Sequence, residues 1–221
     1  MKYLFIDFDG TLADSSEGIY KSFCSACYEC KIKPPKLQKF KNEIGPPIQK
    51  IAVKLLPNIK EFELNKLTKI FRNDYDKESY KILKWYPRVN ETLNILKRYY
   101  KLNFVLVSNK PTLLCKRLIR EKKLENYFDL IIGIDFKLKV GGKVFSNKAE
   151  ALNYSLKKLK IEPNEAIYLG DTLSDKKNCL KIGMKFIAAT YGFYRWEKDN
   201  LPENYINDFS ELFDVIRSLI N

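Results

Sequence analysis

The chain has 221 residues, 45% of them hydrophobic and 30% charged, which fits one large or two small packed domains and excludes a disordered polymer. Lys and Arg number 40 against 27 Asp and Glu, a net charge of +13, and histidine is absent. Imidazole catalysis and imidazole metal ligation are therefore excluded, and any chemistry rests on Asp, Ser, Thr, Lys or Cys. The lysines are scattered, as in KLQKFKNE, NKLTKIF and SLKKLK. That pattern fits a solvated surface better than a nucleic-acid footprint, which gathers on one face. No apolar run approaches the ~20 residues of a membrane span, and the short run after Lys2 does not read as a signal peptide. Five cysteines in a chain of this size read as reduced thiols, so a cytoplasmic protein with no membrane partner is expected.

The first element is an apolar run, Tyr3–Ile6, that meets Asp7 and then Asp9, Gly10 and Thr11. An Asp-Gly turn would account for Asp9 and Gly10 but not for Asp7, which follows a buried strand. Residues two apart on an extended chain point the same way, so Asp7 and Asp9 are expected to face one region. Two such carboxylates call for a cation between them or a proton on one. The next convincing strand is Phe104–Val107. Between them, residues 15–84 read as helix, with Phe23, Cys27 and Cys30 on one stripe and Leu64, Leu67, Phe71 and Tyr75 on another. Pro34-Pro35 and Gly45-Pro46-Pro47 punctuate this stretch. It is far longer than a crossover requires and is expected to be an inserted helical domain, hinged near Leu12–Ser16 and Leu83–Pro87. Cys24, Cys27 and Cys30 are three apart, but a fourth ligand is remote, so a packed helix face is the better explanation.

Further strands are expected at Leu130–Ile132, Ala166–Leu169 and Lys185–Ala189, separated by helical stripes. These include Val89, Leu93, Leu96 and Tyr100, then Ala149, Leu152, Leu156 and Leu159, then Phe209, Leu212, Phe213 and Ile216. The alternation predicts an α/β fold: a doubly wound, Rossmann-like parallel sheet of five strands, with ligands at the carboxyl ends. Residues 1–14 and 85–221 would form this core. Each polar cluster falls on that one edge. IDFDGT ends the first strand, FVLVSNK delivers Ser108, Asn109 and Lys110, GDTLSD delivers Asp171 and Asp175, and Lys148 opens a helix. Carboxylates without histidine suit a hard cation, Mg²⁺ before others. Hydroxyl, lysine and a helix N-terminus suit an anion, and together they describe phosphoryl transfer through an aspartyl-phosphate.

DFDGTLADS, the Ser108-Asn109 pair, Lys148 and GDTLSD, in that order, resemble the four motifs of the haloacid dehalogenase superfamily. The long helical insert stands where that family carries its helical cap. IGPPIQK and GMKFIAATYGF are similar to the phosphoglycolate-phosphatase branch. The resemblance implies that Asp7 is the nucleophile and a metal ligand. It implies that Asp9 is the general acid and base, ligating metal through its carbonyl. Ser108 and Lys148 would hold the phosphoryl oxygens, with Asn109 and the backbone near Gly10 and Thr11 assisting. Asp171 would ligate Mg²⁺, and Asp175 would ligate it through water or orient Lys148. The family's lysine usually follows the third strand more closely, so Lys137, Lys139 and Lys143 are rivals to Lys148. The expected activity is Mg²⁺-dependent hydrolysis of a small phosphorylated metabolite by a monomer or homodimer, with no nucleic-acid partner. A sugar phosphomutase is the alternative within the superfamily, and an inactive basic fold binding nucleic acid the alternative outside it.

Overall fold

The computed structural model describes residues 1–134 and 145–220. Its centre is β1 (Tyr3–Ile6), a strand of four apolar residues that pairs in parallel with β4 (Asn103–Ser108) on one side and β6 (Ala166–Gly170) on the other. With β5 (Phe128–Gly133), β7 (Lys185–Ala189) and β8 (Tyr205–Ile206), the sheet runs in the order β5-β4-β1-β6-β7-β8, all neighbours parallel. Among the described residues the sheet thus has six strands where five were expected. The added strand has two residues and pairs only with the end of β7.

Strand residues alternate between two cores, as the pleat requires. Leu4 and Ile6 face a cluster with α5 (Val89–Tyr100), α6 (Thr112–Glu121) and α9 (Leu212–Ile220). Phe5 faces the other cluster, with α7 (Lys148–Leu159) and Cys179 of α8 (Leu173–Lys181). Because both faces are covered, β1 and β6 read as apolar runs, and the polar residues Asp7 and Asp171 follow only at their ends.

Between β1 and β4 the chain leaves and returns through a small antiparallel ribbon, β2 (Ala13–Asp14) against β3 (Lys84–Trp85). The ribbon coincides with the two expected hinges. Four helices lie between its strands: α1 (Ser16–Glu29), α2 (Leu37–Lys41), α3 (Ile48–Leu55) and α4 (Glu61–Tyr75). Phe23 and Cys27 of α1 are fully buried, and Phe23 packs on Phe40 with ring centroids 4.8 Å apart. Cys24 and Cys30 are half-buried, and none of the five cysteines forms a disulfide. Among the described residues, no helix is long and apolar enough to cross a membrane. The expected Gly141-Gly142 turn, and Lys137, Lys139 and Lys143, lie outside the described residues.

Candidate active site

The site begins with the register of β1. The Asp7 N–H donates to the Leu169 carbonyl at 3.0 Å, which extends the β1–β6 ladder by one residue and fixes the Asp7 backbone at the sheet's carboxyl edge. The side chain is 7% exposed. Its Oδ1 accepts the Phe8 N–H at 2.7 Å and its Oδ2 accepts the Lys148 ammonium at 2.6 Å. Burial pushes the Asp7 carboxyl up to about 6; Lys148 pulls against that rise, and Asp175 adds to it. Lys148 opens α7 behind an Asn147 cap, whose side chain accepts the Glu150 N–H at 3.1 Å. It also meets Asp175 Oδ1 at 2.5 Å. Burial alone would lower the lysine's pKa, but Asp175 and Asp7 outweigh it and hold it above the usual range.

Asp175 is fixed in turn by a capping box at the start of α8. Thr172 Oγ1 donates to Asp175 Oδ2 at 2.6 Å, and the Asp175 N–H donates to Thr172 Oγ1 at 3.2 Å. Both oxygens of Asp175 therefore have protein partners. Asp171 directly follows β6, and its Oδ2 accepts the Phe193 N–H at 2.8 Å. Its Oδ1 is buried with no hydrogen-bond partner. Burial, then the charges of Asp175 and Asp7, raise its pKa well above the carboxylate range. Oxygens of Asp7, Asp171 and Asp175 lie within 4.8 Å of one another. A buried carboxylate oxygen without a donor, beside two further carboxylates, fits a hard cation with oxygen ligands.

Asp9 does not join this group. Its Oδ1 accepts the Ser15 hydroxyl and lies 3.0 Å from the Lys110 ammonium. Each of the paired aspartates thus has its own lysine, Lys148 for Asp7 and Lys110 for Asp9. That pairing lowers the cost of two like charges at one strand end. Lys110 is 4% exposed, and it also donates to the Tyr75 hydroxyl of α4 at 2.8 Å. Asp9 overcomes the effect of burial and holds the ammonium's pKa above its ordinary value. Sequence reasoning noted Lys110 and Tyr75 without giving either a role. A lysine immediately after a buried strand end was the available signal.

The remaining expected residues fall at the same edge. Ser108 ends β4, is buried, and accepts the Lys110 backbone N–H at 3.3 Å. Asn109 donates from Nδ2 to the Gly45 carbonyl at 2.7 Å, so it ties the sheet edge to the loop before α3. The Gly10 and Thr11 N–H groups donate within the turn to the Ala13 and Phe8 carbonyls at 2.9 Å and 3.3 Å. Gly10 has φ +75°, and a Cβ there would lie 2.0 Å from Asp171 Oδ2. Its absent side chain is what lets Asp171 approach β1. Thr11 accepts the Tyr191 hydroxyl on its carbonyl at 2.9 Å, which fastens the aromatic loop after β7 to the turn.

The haloacid dehalogenase-like hydrolase family matches residues 3–189 of this chain. A phosphoglycolate phosphatase of Aquifex aeolicus is 30% identical over 223 residues, covering 98% of this chain and 97% of its own length. Phosphoglycolate phosphatase 1 of Pseudomonas aeruginosa is 28% identical, covering 87% of this chain and 70% of its own. Among solved structures, a predicted phosphatase from Clostridium acetobutylicum superposes with a TM-score of 0.87 at 29% identity, covering 98% of each chain. The match spans the sheet, the four-helix insert and the clustered aspartates alike, and the chain belongs to the haloacid dehalogenase-like hydrolases, on the branch that includes the phosphoglycolate phosphatases.

Proposed function

We propose that this hydrolase is a phosphatase that removes phosphate from a small phosphorylated metabolite of the phosphoglycolate type, with Asp7 as its nucleophile. The observation that carries this reading is the placement of Asp7: buried, oriented by Lys148 and the Phe8 N–H, beside Ser108 and the Asp171 oxygen that lacks a donor. The names of the similar proteins supply the substrate class. Asp7 attacks phosphorus, and the ester P–O bond breaks as Asp9 passes a proton to the departing alkoxide. Water then attacks the phosphorus of the aspartyl-phosphate while Asp9 takes its proton. The acyl–oxygen bond to phosphorus breaks, releasing inorganic phosphate and restoring Asp7. Ser15 and Lys110 both hold Asp9 Oδ1, which leaves Oδ2 for the travelling proton.

Ser108 and Lys148 bind the phosphoryl oxygens. Asp7, Asp171 and the Asp9 carbonyl would hold Mg²⁺, while Asp175, with both oxygens engaged, orients Lys148. When bound, such a cation neutralises phosphoryl charge and aligns the reacting groups. Residues 15–84 act as the cap over residues 1–14 and 85–221, excluding water through contacts such as Tyr75–Lys110 and Asn109–Gly45. The test is phosphate release from a panel of phosphomonoesters with Mg²⁺ or with a chelator. Release that needs Mg²⁺ and vanishes in Asp7→Asn is expected. No release from any ester, or full activity in that variant, would refute the assignment.

A further inference from the structure

Asp9 lines a cavity of about 50 Å³ between the sheet edge and the helical insert, together with Lys110 of the core and Tyr75 at the end of α4. Its Oδ1 is taken by Ser15 and Lys110, so its aim follows theirs. The Lys110 side chain is 2% exposed, and its ammonium sits over the Phe8 ring at 5.4 Å and the Tyr75 ring at 4.7 Å. Of its three N–H groups, one goes to Asp9 at 3.0 Å and one to the Tyr75 hydroxyl at 2.8 Å. The Ser15 hydroxyl, the other partner of Asp9, lies against the same phenol oxygen. One oxygen of α4 therefore touches both groups that hold Asp9. Tyr75 is itself fixed. It is buried, its ring stacks on Phe71 at 5.4 Å, and the preceding residue, Asp74, accepts the Ser22 and Ser79 hydroxyls on Oδ2 at 2.5 Å and 2.8 Å.

We infer that Tyr75 is a positioning residue for proton transfer: its hydroxyl, through Lys110 and Ser15, sets the direction in which Asp9 offers Oδ2 to the leaving group. This rests on the phosphatase reading above and deepens it by naming a side chain of the insert that acts on the chemical step without touching phosphorus. An ammonium buried among rings goes where its hydrogen-bond acceptors are, because an unmatched N–H is costly there. With the phenol oxygen gone, Lys110 keeps Asp9 alone of these two acceptors and moves with it. Ser15 loses the same neighbour, so Asp9 Oδ1 is no longer held from a fixed place. Displacing a proton donor by about 1 Å is enough to cost ~10²-fold in rate.

The experiment compares two alkyl esters, ethyl phosphate and phosphoglycolate, with acetyl phosphate in wild type and Tyr75→Phe, with Mg²⁺ present. In all three, attack by Asp7 breaks the P–O bond and the bonding pair leaves with the oxygen. An alkoxide needs the Asp9 proton as it departs, whereas acetate leaves as the stable anion. The variant keeps the ring, its stacking and its contact with the ammonium, and loses only the hydroxyl. For the alkyl esters kcat/KM should fall about 10- to 100-fold, mainly through kcat, while for acetyl phosphate it should change by less than about threefold. An equal fall for all three compounds marks a merely structural role and overturns the inference, as does no change for any of them; both results leave the phosphatase reading standing. A wild type that hydrolyses none of the three, nor any other phosphomonoester, overturns both.

Discussion

Replacing Lys148 by Met removes a charge while keeping most of the stem's bulk. The lysine is 3% exposed and its ammonium lies 2.6 Å from Asp7 and 2.5 Å from Asp175, with Asp171 in the same cluster. Without it, three buried carboxylates face one another with no ammonium among them. Breaking a buried ion pair from one side costs about 3–5 kcal/mol, and that range is the expected loss of stability in chelator. Mg²⁺ should restore part of it. A ligand at a hundred times its dissociation constant contributes about 2.7 kcal/mol, and the variant's more negative cluster should bind the cation more tightly than wild type does. Denaturant unfolding of both chains, with chelator and with Mg²⁺, measures this directly. Turnover should fall ~10²- to 10³-fold even with Mg²⁺ present, because a cation aimed at the phosphoryl oxygens is gone. A variant as stable as wild type in chelator, with no greater response to Mg²⁺, would refute the claim that Lys148 balances this cluster.

Gly10→Ala should be close to inactive, since the new Cβ would meet Asp171 Oδ2 at 2.0 Å on a backbone with φ +75°; phosphate release from a soluble, folded variant checks it. Asp208 accepts the Ser210 N–H at 2.9 Å, and the Ser210 side chain and backbone hold its carboxyl below the usual range. Its contribution is therefore present above the unfolded carboxyl's pKa and is lost as pH falls through the lowered folded value. Asp208→Ala should cost about 1 kcal/mol at pH 7 by denaturant unfolding, and the difference should vanish in strong acid. Burial pushes the Cys27 thiol up to about 12, so brief alkylation of the native chain at mildly alkaline pH should modify Cys24 or Cys30 before Cys27, as peptide mass mapping would show.

The strands with both faces covered were legible because burial on both sides writes itself as an apolar run. β1 and β7 have the bounds that the sequence predicts, Tyr3–Ile6 and Lys185–Ala189. β8 was not legible, since Tyr205–Ile206 sits at the sheet edge with two residues of pairing and no apolar run to mark it. The placement of Asp7, Ser108 and Asp171 at one edge followed from strand ends, because parallel strands deliver their last residues to the same side, whereas Lys148 and Asp175 stand in the helices that follow and Lys148 was singled out by the family resemblance. What the sequence could not supply was pairing across space. Tyr75 reads as one more residue on the α4 stripe, yet its hydroxyl meets Lys110, and Lys110 meets Asp9, which is 101 positions earlier in the chain. The clearance at Gly10 was equally hidden, because it depends on where Asp171 arrives.

The most direct measurement is a burst experiment on Asp9→Asn with p-nitrophenyl phosphate in the presence of Mg²⁺. This ester's leaving group departs without a proton, so Asp7 can still attack, but the substituted side chain cannot take a proton from water in the second step. One equivalent of nitrophenolate per chain should appear rapidly and then slow sharply, with acid-quenched protein carrying a phosphoryl group on the peptide that contains Asp7. A linear time course with no burst and no label, or a label on a different residue, would contradict Asp7 as the nucleophile.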